Sequence, residues 1–202
     1  MDVKEHIILE AGKLLQNIGP TSMTMDMVAR TCGISKRTLY EKFPDKRTLI
    51  KECMEHDHLR QNEQAKHIFE ESANCFEALF RIFTNVRDYM QTTSMAFVGD
   101  MKRLYPELFA KQREQEHHFV MGLSKVLRQA QTEGHVLPGI NTDIAAFLFL
   151  TTIRTLHEND RLSDYDFSRI EVFDGAFLNF LRGIATHAGR EIIDAHVESI
   201  LR

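Results

Sequence analysis

Between Thr24 and Phe43 a small residue, a glycine, a branched apolar residue and a hydroxyl recur at separations that few folds can use: Ala29, then Gly33-Ile34-Ser35, then Thr38-Leu39. Each position has a job in two short helices joined by a tight turn. Ala29 is small enough for the helices to cross closely. Gly33 can take the positive φ that such a turn requires. Ile34 fills the angle between the helices, and Ser35 caps the second one. Leu39 and Phe43, four apart, share the inward face of that helix. Thr24 is placed to cap the first helix, with Asp26 favourable in its first turn. A helix precedes the pair: Ile7, Ile8, Ala11, Leu14, Leu15 and Ile18 form one apolar stripe, and Gly19-Pro20 stops it. Pro44 ends the third helix, and Asp45 caps a longer one running toward Arg60–Glu71.

The third helix leaves Lys36, Arg37, Tyr40 and Glu41 facing outward, with Thr38 and Lys42 at the margins. Cations and hydroxyls at the N-terminal end of an exposed helix suit a probe of the DNA major groove, and a helix N-terminus favours phosphate. Charge agrees. Net charge is −4, yet residues 1–50 hold eight Lys/Arg against six Asp/Glu, leaving 17 against 23 beyond. Positive charge gathers where a DNA footprint would form.

Taken together, Thr24, Val28-Ala29, Gly33-Ile34-Ser35-Lys36, Thr38-Leu39-Tyr40, Phe43-Pro44, Lys46 and Leu49 resemble the TetR/AcrR family of bacterial repressors. The likeness covers about the first fifty residues. The remainder is similar in layout, with a Tyr105-Pro106-Glu107-Leu108 element and a late Leu181-Arg182-Gly183 helix end. The resemblance implies a homodimer that binds a palindromic operator on double-stranded DNA and is released by a small ligand. By matching positions, Thr24, Tyr40 and Lys46 would contact phosphates, while Lys36, Arg37 and Thr38 would lie at base edges. Ser35 and Glu41 complete the expected DNA-binding set. Many relatives carry a small residue where this chain has Arg37, so its operator preference is its own.

Beyond residue 50 the pattern stays helical, with no alternating strand pattern. The predicted helices cover about 73–92, 100–109 with an interruption near Pro106, 111–133, 143–157 and 167–184, and a short tail helix around 190–201. Val120, Leu123, Leu127 and Ala130 form one stripe. The expected fold class is all-α: a three-helix helix-turn-helix domain over 1–50 and a larger helical ligand-binding and dimerisation domain over 51–202. That larger domain is rich in Met and Phe, among them Met95, Met101, Phe109, Met121 and Phe149. A bundle lined by such adaptable side chains can hold an apolar or amphipathic effector. Met90, Phe97, Phe119 and Phe147 are the expected lining residues. Ile144 to Leu150 is apolar all round and so is expected to be covered on two faces. Ala145-Ala146 and Gly175-Ala176 would allow close helix approach. The family resemblance puts a four-helix dimer bundle here, so Phe147, Leu150, Phe173, Phe177 and Phe180 are the expected interface.

Other functions find little support. No Gly-x-Ser-x-Gly, Walker or Gly-x-Gly-x-x-Gly pattern occurs, so no catalytic residue and no cofactor are expected. His56-x-His58 lacks the i, i+4 spacing of helix-borne ligands, and Glu52 and His56 have it without an evident third partner, so no metal is expected. Cys32, Cys53 and Cys75 are odd in number and far apart, and read as small buried residues. With 43% hydrophobic and 27% charged residues, and Ile144–Leu150 as the longest apolar run, the chain is expected to be globular and off the membrane. The N-terminus shows no secretory leader pattern, so a cytoplasmic address is expected. The competing reading is a helical protein-interaction module that does not bind DNA.

Overall fold

Side-chain oxygens start most of the helices. A computed structural model describes residues 2–158 and 165–200, and the backbone alone at 109–116, 157–158 and 198–200. Helix α1 spans Val3–Ser22, α2 Met25–Thr31, α3 Lys36–Lys42 and α4 Lys46–Glu71. Then come α5 Cys75–Thr92, α6 Met95–Leu104, α7 Pro106–Thr132, α8 Thr142–Glu158, α9 Arg169–Ile184 and α10 His187–Ile200. The expected all-helical architecture is what forms. Within the described residues the one extended pairing is an isolated bridge between Val136 and Ala185.

The caps explain the boundaries. Thr24 accepts from the Met27 N–H, Ser35 from Thr38 and Asp45 from Thr48, at 3.2, 3.1 and 2.7 Å. Ser94 caps α6, Asn141 caps α8, and Ser168 with Glu171 forms a reciprocal capping box on α9. One expectation is corrected. The break near Pro106 separates two helices instead of interrupting one over 100–109: α6 runs from Met95 to Leu104, and Pro106 occupies the first position of α7, where its missing N–H costs nothing. At the end of α1, Gly19 turns to φ 76°, ψ 161°, and one further turn carries the chain through the buried Pro20.

Contacts divide the chain into two compact units, residues 1–65 with 92–111, and 66–91 with 112–202. The sequence division at residue 50 separates a motif; packing adds α6 to the unit that holds it. In that first unit Ile7, Ala11, Leu15, Val28, Leu39, Phe43, Leu49 and Ile50 form a core completed by Phe97, Met101 and Tyr105. α6 is fastened to α1 by three polar links. The Ser94 N–H donates to the Gln16 carbonyl (2.9 Å), the Thr21 N–H donates to Asp100 (2.8 Å), and Arg103 donates to the Thr21 hydroxyl (3.4 Å).

The second unit is built on aromatics. Phe83 stacks on Phe177 with centroids 3.8 Å apart and on Phe173 at 4.8 Å, Phe149 stacks on Phe180 at 4.6 Å, and Phe80 on His196 at 4.9 Å. Leu123, Leu127, Ala130 and Leu181 close this core. Beside it Arg87 Nε donates to both carboxylate oxygens of the buried Asp174, at 3.0 and 3.2 Å. α8 is not covered on two faces within the chain: Ala145 and Ala146 are buried, but Ile144, Phe147 and Leu148 are each more than half exposed. Among the described residues no helix is long and apolar enough to cross a membrane.

Candidate nucleic-acid interface

α2 and α3 are joined by a turn whose bonds are all local. The Cys32 N–H donates to the Val28 carbonyl, Gly33 to Arg30 and Ile34 to Ala29, at 2.9, 3.1 and 3.0 Å. Gly33 takes φ 65°, the left-handed conformation that a glycine holds without a Cβ penalty. Leu39 and Phe43 are fully buried, so the opposite face of α3 must point to solvent. α1 supports this pair from behind: Lys4 lies over the Phe43 ring at 5.6 Å and bridges to Glu52 at 2.6 Å.

The outward face carries the expected set. Arg37 is wide open, with 89% of its side chain exposed. Its Nε donates to Glu41 Oε1 at 3.0 Å, one helical turn on. Lys36 reaches back to Asp26 on α2, Nζ to Oδ2 2.5 Å. The Ser35 and Thr38 hydroxyls are bonded to each other at 2.8 Å. Tyr40 is half exposed. Thr24 is exposed at the start of α2, and the half-buried Lys46 opens α4 directly after the Asp45 cap. The Thr48 N–H bonded to Asp45 holds that carboxyl below its ordinary range. Thr24, Ser35, Lys36, Arg37, Thr38, Tyr40, Glu41 and Lys46 therefore all belong to α2, α3 or the helix starts beside them, and share the first unit.

Sequence reasoning missed the partners of this face. Asp26 looked like a first-turn helix charge and is also the counter-ion of Lys36. Arg47, next to Lys46, pairs with Glu107 and lies over the Tyr105 ring at 5.1 Å. The Tyr105-Pro106-Glu107-Leu108 element thus packs against the start of α4. Contacts separated by sixty residues leave no periodic signal.

The expected effector residues are not brought together. Met90 is buried in the core of the second unit and Phe97 in that of the first, while Phe119 and Phe147 are exposed, at 41% and 57%. The expected interface set divides as well. Phe147 is exposed and Leu150 and Phe180 are half-buried, but Phe173 and Phe177 sit within the unit's own aromatic stack. Their i, i+4 stripe continues through Leu181 and faces inward. The outward face of α9 carries the half-buried Gly175 and Ala176 and the exposed Asn179 and Gly183 instead. On α8 it carries Ile144 and Leu148 beside Phe147.

The three thiols are buried. Burial pushes Cys53 up to about 12 and Cys75 up to about 11, the latter helped by Glu133 beside it. Among the described residues no group of three or more His, Cys, Asp or Glu side chains is disposed to hold a metal ion.

The family model described as bacterial regulatory proteins, tetR family, matches residues 7–53. An uncharacterized HTH-type transcriptional regulator of Bacillus subtilis (strain 168), YvaF, is 22% identical over 184 residues, covering 89% of this chain and 94% of that protein. The fold is similar to the crystal structure of a TetR-family transcriptional regulator from Marinobacter aquaeolei VT8, with TM-score 0.74, 17% identity and 99% of each chain covered. It is also similar to a transcriptional regulator from Saccharomonospora viridis solved in complex with choline, with TM-score 0.69, 14% identity, and 91% of this chain and 98% of that one covered.

Proposed function

We propose that this chain is a TetR-family repressor that binds a palindromic operator as a homodimer and is released by an apolar or amphipathic small molecule; residues 7–53 match the family model. Those residues hold the helix-turn-helix that would bind DNA. The observation that carries it is the capped, outward face of α3, where Lys36, Arg37, Thr38 and Tyr40 are presented by a turn that only local geometry holds. Thr24, Tyr40 and Lys46 serve as phosphate contacts, and Lys36, Arg37 and Thr38 as base-edge contacts.

The homodimer is supported by α8 and α9. Three large apolar side chains more than half exposed on α8, with Gly175, Ala176 and Gly183 on the outer face of α9 packed against it, offer a surface that a second copy can cover closely. Two-fold symmetry would set the two α3 helices in successive major grooves, roughly 34–36 Å apart or a multiple.

The effector reading is supported by the size and composition of the second unit. Its aromatic core, with the Arg87–Asp174 pair at the edge, combines apolar rings with charge. The choline bound by the Saccharomonospora viridis regulator is a small cationic ligand, and aromatic faces hold such groups well. A ligand changes operator affinity only through its different affinity for two arrangements of the dimer. α4 begins at the proposed phosphate contact Lys46 and ends in the second unit, so it is the natural lever.

Selection from a mixture of random duplexes tests the central claim. The expected result is an enriched palindrome whose half-sites are one helical turn, or a whole number of turns, apart. Recovery of no preferred sequence would favour the protein-interaction module. A thermal-shift screen of hydrophobic compounds, followed by operator binding, tests the effector. Stabilising compounds that never change operator affinity would remove that part.

A further inference from the structure

We propose that Glu41 is a positioning residue for Arg37, and that the pair reads one guanine in each half-site. This deepens the operator reading above and rests on it.

The first observation is geometric. The bond to Glu41 uses Arg37 Nε alone. The two terminal nitrogens, on a side chain 89% exposed, have no partner among the described residues. Nε is the inner edge of the guanidinium, so a carboxylate there fixes the plane of the group and leaves its outer edge to donate two parallel bonds. Guanine offers two acceptors, O6 and N7, at that spacing in the major groove. The neighbouring candidates are engaged through the atoms they would use: Lys36 Nζ lies on Asp26, and the Thr38 hydroxyl on Ser35.

The second observation is electrostatic. The pair is not arranged to stabilise the helix. Arg37 lies in the first turn of α3 and Glu41 near its end, with no acidic residue in the first turn. Both charges oppose the helix dipole, whose positive end is at the N-terminus. The order Arg then Glu at i, i+4 is also the weaker of the two orders, and a pair this open to water adds almost nothing to stability. Exchanging the two residues would suit the helix better and would remove the guanidinium from the N-terminal end, where a recognition helix meets base edges. Glu41 is placed for Arg37, not for α3. Near a phosphate backbone a lone carboxylate would weaken binding; bonded to Arg37 its charge is compensated, and the arginine loses rotamer freedom before DNA arrives.

The test is site selection from random duplexes with the full chain, followed by competition binding, for wild type, Arg37→Ala, Glu41→Ala, Glu41→Gln and the double alanine variant. Wild type is expected to require guanine at one position of each half-site. Arg37→Ala should lose that preference roughly five- to a hundredfold, as expected for a bidentate contact. Glu41→Ala should weaken the same position about two- to tenfold, the effect of ordering one long side chain. Glu41→Gln, which keeps an acceptor for Nε, should retain most of it. The double variant should match Arg37→Ala alone, with all thermal midpoints unchanged. Should Glu41→Ala alter a different base pair, Glu41 contacts a base itself, through a cytosine amino group for example, and the positioning role is overturned. No change with Glu41→Ala, where Arg37→Ala erases the guanine, overturns it too and leaves the operator reading intact. An unchanged consensus with Arg37→Ala removes the base-reading role of Arg37 and this proposal together, and the absence of any selected palindrome removes the operator reading beneath both.

Discussion

Replacing Gly19 by alanine should destabilise the unit that carries the DNA-binding helices by about 1–5 kcal/mol. The magnitude comes from two separate costs and one offset. Gly19 sits at φ 76°, ψ 161°, a backbone region essentially restricted to glycine, where another residue costs about 1–3 kcal/mol. A Cβ there would lie 3.1 Å from the Ala96 carbonyl carbon and the Phe97 nitrogen and 3.2 Å from the Ala96 oxygen. These are backbone atoms of α6, so relief requires that helix to move, and overpacking of this kind costs about 1–3 kcal/mol. Against both, alanine lowers the entropy of the unfolded chain by an equivalent of about 0.4–1 kcal/mol. Gly12 is the internal control. It lies in the regular part of α1 with nothing within 4 Å of a built Cβ, so Gly12→Ala should stabilise by about 0.5–1 kcal/mol. Urea unfolding followed by far-ultraviolet circular dichroism measures both, and operator affinity should fall with Gly19→Ala as the links from α1 to Ser94 and Asp100 loosen. A Gly19→Ala variant within 1 kcal/mol of wild type, or one that behaves like Gly12→Ala, would refute the argument that this glycine sets the approach of α6 to α1.

The remaining expectations follow from burial. Asp174→Ala leaves Arg87 with an uncompensated charge beside the aromatic core and should cost about 3–5 kcal/mol, whereas the double change Arg87→Met with Asp174→Leu should be near neutral; urea midpoints separate the two. Leu148→Asp, at a side chain 58% exposed in the single chain, should leave helix content intact while halving the mass seen by sedimentation and abolishing binding to the full operator; a folded variant that stays dimeric would move the interface elsewhere. At neutral pH the Cys53 and Cys75 thiols, held up at about 12 and about 11, should react with iodoacetamide far more slowly in the folded protein than in urea, and rapid labelling of the native state would contradict their burial.

Sequence alone determined what depends on near neighbours. The caps at Thr24, Ser35 and Asp45 and the positive φ at Gly33 all involve partners within three or four residues, so their spacing could be read directly. The helices follow from apolar periodicity for the same reason. Tertiary structure decided which apolar face turns inward. α9 carries phenylalanines on more than one side, and only packing put Phe173 and Phe177 into the stack with Phe83 and left Phe180 half-covered. α8 is apolar all round, so its pattern has no direction, and the small pair Ala145-Ala146 went inside while Ile144, Phe147 and Leu148 stayed out. Met90 and Phe97, seven residues apart, entered separate cores because the chain leaves one unit for the other between them. The bonds from Thr21 to Asp100 and from Arg47 to Glu107 span 79 and 60 residues. A period describes one helix at a time; which helices meet is settled by the free energy of burying their surfaces together, and no local pattern encodes it.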